Sequence, residues 1–158
     1  MAERRRVFAG VGELRQKRPF VYVDRVWQED DALSLKGVVT FDTSRERFFD
    51  PESVPGIFAL EALAQLSGIL LLRLTGYPRG GLLVGLDDVE LGELRRAPAD
   101  VHLYVHVVGL SSRLSRLRGT AHIDGCLWCR ALLAIHHQYA AGRGAFGGGG
   151  VYEIHNAR

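Results

Sequence analysis

The sequence has little cysteine, no long apolar run free of charge and no strong excess of one charge sign. Two cysteines, Cys126 and Cys129, are too few for a disulfide scaffold, which favours a reducing cytoplasm as the location. No apolar block follows the first arginines, so a secretory signal is not expected. Residues 57–74 are mostly apolar but include Glu61 and Arg73, which argues against a membrane span.

The 158 residues carry a formal net charge of +2 that is unevenly divided. Residues 1–18 hold six basic and two acidic side chains, whereas residues 19–158 hold fourteen basic and sixteen acidic ones. A nucleic-acid module usually spreads basic charge over a folded face, so no nucleic-acid partner is expected. We divide the chain into a basic leader (1–18), one globular domain (19–139) and a glycine-rich tail (140–158).

One helix dominates the predicted secondary structure. Residues 57–74 are good helix formers and are apolar nearly all round. Pro55 and Gly56 precede this segment, and Gly76 and Pro78 follow it as stop signals. A helix that is apolar on every side needs apolar partners on every side.

Strands are predicted on both sides of this helix. Their patterns cover residues 20–27, 33–41, 82–91, 101–107, 113–123 and 127–137. Asp124 and Gly125 form a hairpin signal between the last two, because glycine tolerates the positive φ of such turns. The simplest arrangement is an α+β fold in which a curved antiparallel sheet wraps around the long apolar helix.

The polar groups near the start of the helix are Glu61 and Gln65. They lie four residues apart and therefore on one helix face. In one interpretation the pair has only a structural role: both side chains project to the rim of the protein, or Gln65 simply provides a hydrogen bond to Glu61. Alternatively, Glu61 is an acid or base in an apolar setting. The backbone N–H groups after Pro55 and Gly56 can hold a developing negative charge on a carbonyl oxygen.

The sequence resembles that of proteins with the hot-dog fold, and specifically the β-hydroxyacyl-acyl-carrier-protein dehydratase family. The likeness extends over about residues 17–137 and is most specific in the "PG…EALAQ" segment from Pro55 to Gln65. Phe48 and Phe49 match the "FF" that precedes the family's active-site loop. Weaker matches agree in order along the chain, over residues 18–26, 84–90, 95–100 and 119–125.

The resemblance implies elimination of water from a β-hydroxyacyl thioester in fatty-acid or polyketide biosynthesis, without cofactor or metal. In the family, a loop histidine takes the α-proton and a helix glutamate works with the leaving hydroxyl, each from a different subunit of a dimer. Glu61 and Gln65 match the helix positions of the family, and Gly56 matches the glycine whose N–H polarises the thioester carbonyl. Pro55, Phe58 and Phe49 are expected at the acyl tunnel.

The chain departs from the family in the loop between "FF" and "PG". Only residues 50–54 stand there, and none is a histidine. Asp50 and Glu52 are carboxylates in the right stretch, but exposed loop carboxylates are normally just solvated. The deletion removes half of the acid–base pair.

Three interpretations follow from the missing histidine. The chain is the glutamate-bearing subunit of a heterodimeric dehydratase completed by a histidine-bearing homologue, or a non-catalytic partner that binds an acyl chain or acyl carrier protein. As an alternative, it hydrolyses acyl thioesters on coenzyme A or a carrier by means of Glu61. At least a dimer is expected in each case, because a free sheet edge usually needs covering.

Other side chains suggest chemistry less strongly. Arg95 and Arg96 are candidates for docking an acidic carrier protein. His102 and His106 share a strand face, but the strand offers no third metal ligand. The spacing of Cys126 and Cys129 is that of a redox pair, but the two thiols would face opposite sides of a strand.

Overall fold

The structure of the protein is a computed structural model that describes residues 7–8, 22–42, 53–75 and 81–137. Predictions that concern Phe49, Asp50, Glu52 and the glycine-rich tail lie outside these residues. The elements in chain order are β1 (Val7–Phe8), β2 (Arg25–Gln28), β3 (Ser34–Phe41), β4 (Ser53–Val54), α1 (Ile57–Thr75), β5 (Gly81–Leu91), β6 (Arg95–Arg96), β7 (Ala99–Leu110), β8 (Leu114–Ile123) and β9 (Cys126–His137).

Helix α1 confirms the prediction to within one residue. It begins after Pro55 and Gly56, whose carbonyl oxygens accept hydrogen bonds from the N–H groups of Phe58 and Ala59 at 3.1 and 3.0 Å. It ends at Thr75, whose hydroxyl donates to the Leu71 carbonyl at 2.6 Å. By length and composition α1 could cross a membrane, but most of it is buried inside the protein, as in a core helix.

Seven strands form one antiparallel sheet in the order β1-β2-β3-β7-β8-β9-β5, and β4 pairs with β6 in a second, two-stranded sheet. Along β7 the odd-numbered residues from Ala99 to Val107 are buried and the even-numbered ones are exposed or half-buried. Strand β8 repeats this alternation. One face of the sheet therefore packs on α1, which confirms the α+β arrangement that the pattern predicts.

The predicted turn between β8 and β9 is confirmed, with positive φ values of 51° at Asp124 and 77° at Gly125. Within the basic leader, Val7–Phe8 forms a short strand on β2, with Val7 opposite Trp27 and Phe8 opposite Val26. Backbone pairing with an edge strand is a non-local interaction, so the composition of the leader does not predict it.

Strand β5 lies at the edge of the large sheet. It pairs with β9 on one side, and no strand pairs with its other side among the described residues. Its apolar side chains are exposed by 39–54% and comprise Leu82, Leu83, Val84, Leu86, Val89 and Leu91. An apolar edge of this length normally pairs or is covered in folded proteins.

A polar cluster fastens the turn between β2 and β3 to β7. Asp31 accepts hydrogen bonds from the Leu33 N–H at 2.9 Å and the Ser34 hydroxyl at 2.8 Å, and His106 Nδ1 lies 3.3 Å from Asp31 Oδ2. Hydrogen bonding from the Leu33 N–H, then from Ser34, together with nearby His106, lowers the pKa of Asp31 from its usual value. The ionised carboxylate is therefore the form that stabilises the fold.

We expect this cluster to give a small, acid-sensitive contribution to stability. Because the pKa of Asp31 is lower in the folded chain, the contribution is complete above the unfolded value and disappears as the pH falls through the folded one. The side chain is 51% exposed, so solvent screens the effect. Asp31→Asn should lower the melting temperature near neutral pH, and its difference from wild type should shrink below about pH 4. The exposed neighbour Asp30, changed to Asn, is the control, and a pH-independent difference would contradict the prediction.

Candidate functional site

The predicted acid–base residue Glu61 lies on the second turn of α1. Its side chain is exposed in the single chain, and its Oε1 accepts a hydrogen bond from Gln65 Nε2 at 2.9 Å. The expectation of an apolar setting for Glu61 is therefore not met by this chain alone. Desolvation of the carboxylate would require a second molecule over this part of the helix.

Gln65 differs from Glu61 in being buried, with 3% of its surface exposed. Its Oε1 accepts a hydrogen bond from the backbone N–H of Tyr22 at 2.9 Å, while its Nε2 donates to Glu61. The amide thus connects the glutamate to the segment that leads into β2. The two side chains therefore do not both project to the rim, and the observed contact is the other arrangement that the spacing left open, in which Gln65 donates a hydrogen bond to Glu61.

The backbone before Glu61 is buried at Gly56. Among the described residues, no group accepts a hydrogen bond from the Gly56 N–H. An N–H group in this position at the start of a helix can donate to an oxygen that gains negative charge. Pro55 is half-buried, and its carbonyl is used in the first turn of the helix.

An aromatic cluster lies beside the start of the helix. Phe58 stacks on Tyr22 with ring centroids 5.5 Å apart and contacts Phe41 at 6.0 Å, and Tyr22 is 5.9 Å from Phe41. The half-buried Phe58 is thus part of the packing between α1 and β3, and its contact with an acyl chain stays a prediction. Sequence reasoning missed Tyr22, because its role comes from a backbone N–H that carries no residue-specific signal.

The predicted docking residues Arg95 and Arg96 form β6 and are exposed. Arg95 is opposite Val54 and Arg96 is opposite Ser53, so β6 runs along the residues that lead into α1. The structure therefore brings both arginines close to the start of the helix. Their binding to a carrier protein stays a prediction.

Histidine is not close to Glu61 in the described part of the chain. His102 and His122 lie opposite each other on β7 and β8, on the face of the sheet that points away from α1. His106 lies on that same outer face, beside Asp31. His136, at the end of β9, is exposed.

His137 is the buried histidine of the described residues, but it lies at the wrong end of the sheet. It is opposite Gly81 at the start of β5, whereas Gly56 lies against Leu91 and Gly92 at the end of β5. Eleven residues of strand separate these ends by about 30 Å. Its Nε2 is 2.6 Å from the Ser115 hydroxyl, and burial lowers its pKa.

The metal and redox interpretations gain no support from the geometry. No cluster of three or more His, Cys, Asp or Glu side chains in the described ranges could hold a metal ion. Cys126 is exposed, Cys129 is buried, and both are free. The irregular pairing of β8 with β9 places Cys126 opposite Ile123 and Cys129 opposite Ala121, so the two cysteines lie on the same side of the strand and the prediction of opposite sides is wrong. Burial raises the pKa of Cys129 to about 11, which keeps that thiol protonated and unreactive near neutral pH.

Comparison with solved structures identifies the fold. The dehydratase heterocomplex ApeI:P from Xenorhabdus doucetiae superimposes with a TM-score of 0.71 at 17% identity, covering 84% of this chain and 93% of that one. A hypothetical thioesterase from Streptococcus pneumoniae superimposes with a TM-score of 0.57 at 11% identity, covering 72% and 86%. The chain therefore has the hot-dog fold.

Comparison with curated sequences identifies the family, although no protein-family model matches the chain. The chain is 32% identical over 131 residues to the 3-hydroxyacyl-(acyl-carrier-protein) dehydratase FabZ of Tolumonas auensis, covering 76% of this chain and 86% of that protein. It is 27% identical over 123 residues to FabZ of Bacillus subtilis, covering 74% and 86%. At this level of identity and coverage, the chain belongs to the FabZ family of 3-hydroxyacyl-(acyl-carrier-protein) dehydratases.

Proposed function

We propose that this chain supplies the Glu61 half of a composite dehydratase site, and that a histidine-bearing homologue supplies the other half. The substrate is a 3-hydroxyacyl thioester on an acyl carrier protein or coenzyme A, in fatty-acid or polyketide biosynthesis. The partner's histidine removes the α-proton, the carbon–carbon double bond forms, and the β-hydroxyl leaves as water with a proton from Glu61. The thioester carbonyl accepts a hydrogen bond from the Gly56 N–H during this step.

The position of the histidines is the observation that carries this proposal. Glu61 and Gln65 form a hydrogen-bonded pair at the start of α1, but the described histidines lie on the outer face or at the far end of the sheet. The loop that holds the family's histidine is short here and contains none. These positions support a second molecule as the source of the base for the α-proton.

Strand β5 supports the same conclusion. Its side chains are exposed along nearly the whole strand, six of them are large and apolar, and the strand ends at Leu91, beside Gly56. A subunit paired with this edge would stand next to the start of α1, where Glu61 lies. One of the solved structures with this fold is a dehydratase heterocomplex, so a heteromeric dehydratase has a precedent in the fold.

Active-site complementation tests the proposal. The partner is a histidine-bearing homologue encoded in the same gene neighbourhood, in which the helix glutamate is changed to Gln and the loop histidine is kept. Neither protein should dehydrate a 3-hydroxyacyl thioester alone, and the mixture should do so because one site then contains both groups. The conjugated enoyl thioester is followed by its ultraviolet absorbance.

The same experiment separates the other interpretations. A complex that co-elutes and binds acyl thioester without turnover would contradict the proposal and indicate a non-catalytic partner. Thioester hydrolysis by this chain alone, measured as released thiol, would indicate the thioesterase.

We also propose that the protein functions in the cytoplasm. Its two cysteines are free, which is typical of proteins in a reducing compartment.

A further inference from the structure

Trp128 on β9 holds the segment that follows β5 by two hydrogen bonds. The Gly92 N–H donates to the Trp128 carbonyl at 2.6 Å, and the Trp128 indole N–H donates to the Glu93 carbonyl at 2.8 Å. The tryptophan is 2% exposed, so its side of both bonds lies in the interior, whereas Glu93 is at the surface. Hydrogen bonds at the two ends of one residue fix the position and the direction of the segment.

The indole also lies directly against the backbone of Gly92. A Cβ atom at Gly92 would stand 2.2 Å from Trp128 Cδ1 and 2.5 Å from the Trp128 carbonyl oxygen. Real Cβ atoms do not approach other atoms this closely, so only glycine fits. The close approach therefore leaves Gly92 little freedom to move towards β9.

The other side of this segment contacts the residues that lead into α1. A Cβ atom at Gly56 would stand 3.0 Å from the Gly92 carbonyl oxygen and 3.5 Å from Leu91 Cβ. Three residues after Gly92, β6 begins and pairs with β4, which lies immediately before Pro55. The backbone between β5 and β7 thus supports the start of the helix at two points, from Gly92 and from β6.

We propose that Trp128 is a positioning residue for the Gly56 amide, an inference that rests on the proposed function. Trp128 does not reach the substrate itself. It fixes Gly92 and Glu93, these residues set the position of β4 and Gly56, and the Gly56 N–H then points at the thioester carbonyl. A shift of a few tenths of an ångström in this amide weakens its hydrogen bond to the thioester carbonyl. The loss is larger in the transition state than in the ground state, because the carbonyl oxygen gains negative charge there.

The variant Trp128→Phe tests this link, because it keeps an aromatic ring and removes the indole N–H. The matched control is Trp27→Phe, since the buried indole N–H of Trp27 has no hydrogen-bond partner in the described residues. The first readout is the amide chemical shift of Gly56, measured by NMR on the labelled full chain. Trp128→Phe should move this resonance and speed hydrogen exchange in β4, and Trp27→Phe should leave both at their wild-type values.

The second readout is the kinetics of the complemented dehydratase. Trp128→Phe should lower kcat about tenfold and leave KM within about twofold, because the hydrogen bond acts mainly in the transition state. A variant that merely unfolds part of the protein would reduce the concentration of active sites, which titration of the complex measures separately. Trp27→Phe should keep the wild-type kcat.

A Gly56 resonance that stays at its wild-type position in Trp128→Phe would overturn the inference, and so would a wild-type kcat despite a moved resonance. Gly92→Ala provides a second route to the same answer, since its methyl group must push the segment away from Trp128, and it should also move the Gly56 resonance. If complementation itself produces no dehydratase, the proposed function fails. The NMR result still decides whether Trp128 positions Gly56.

Discussion

Glu61→Gln is expected to lower the kcat of the complemented dehydratase by about 10²- to 10⁴-fold, because an amide cannot donate a proton to the leaving hydroxyl. The substitution keeps the shape of the side chain, and its carbonyl oxygen can still accept the hydrogen bond that Gln65 Nε2 donates at 2.9 Å. Since Glu61 is exposed, the melting temperature of the chain should stay within about a degree of wild type. The rate of enoyl thioester formation is the measurement.

The fall in kcat is specific to Glu61 only if the same substitution at a glutamate away from the site leaves kcat unchanged. Glu29 is a suitable control, because it lies between β2 and β3 and its carboxylate is 3.1 Å from the Lys36 ammonium group. Strands β2 and β3 lie towards the opposite edge of the large sheet from β5. Glu29→Gln should leave kcat unchanged. If Glu61→Gln retained more than a third of the wild-type rate while still forming the complex, Glu61 would not be the proton donor.

Local patterns predict the elements of this fold well. Residues 57–74 combine good helix formers with stop signals, and α1 is observed at Ile57–Thr75. The alternation around His102 and His106 predicts a strand with one buried face, and β7 has that face. These features depend on neighbours a few positions away in the chain, which is the range over which helix and strand periodicities act.

Non-local contacts explain what the sequence leaves open at the site. The spacing of Glu61 and Gln65 predicts a shared helix face, but it does not tell which of the two is buried. Gln65 is buried because its oxygen meets the backbone of Tyr22, 43 positions earlier in the chain. Trp128 likewise meets Glu93 across 35 positions. Such pairs arise from the order of the strands, which no local periodicity specifies.

Strand β5 shows the same limit in another way. An apolar run such as Leu82, Leu83 and Val84 is typical of a buried strand, yet all three side chains are exposed in the single chain. The strand order places β5 at the edge of the sheet, so these apolar side chains lie at a free edge and not between two strands. The pattern and the position agree if this edge is buried in an assembly of two chains.

We therefore expect Val84→Lys to weaken association of the subunits by at least about 100-fold, because the interface would have to bury an unpaired ammonium group. The fold itself should tolerate the change. Val84 is 54% exposed and lies at an irregularity of the pairing between β5 and β9, where Leu83 and Gly85 have partners on β9. Sedimentation equilibrium of the chain, alone and with its histidine-bearing partner, measures the change.

Leu127→Lys is the matched control for this prediction. Leu127 is 48% exposed, and it lies on β9 beyond Cys129, where the pairing with β5 ends. The control should associate like wild type and retain the complemented activity, whereas Val84→Lys should lose both at the same protein concentration. Under the proposed function the catalytic groups come from two chains, so activity of Val84→Lys should return as its concentration is raised. Dissociation without loss of activity would mean that one chain holds a complete site, which contradicts the shared site.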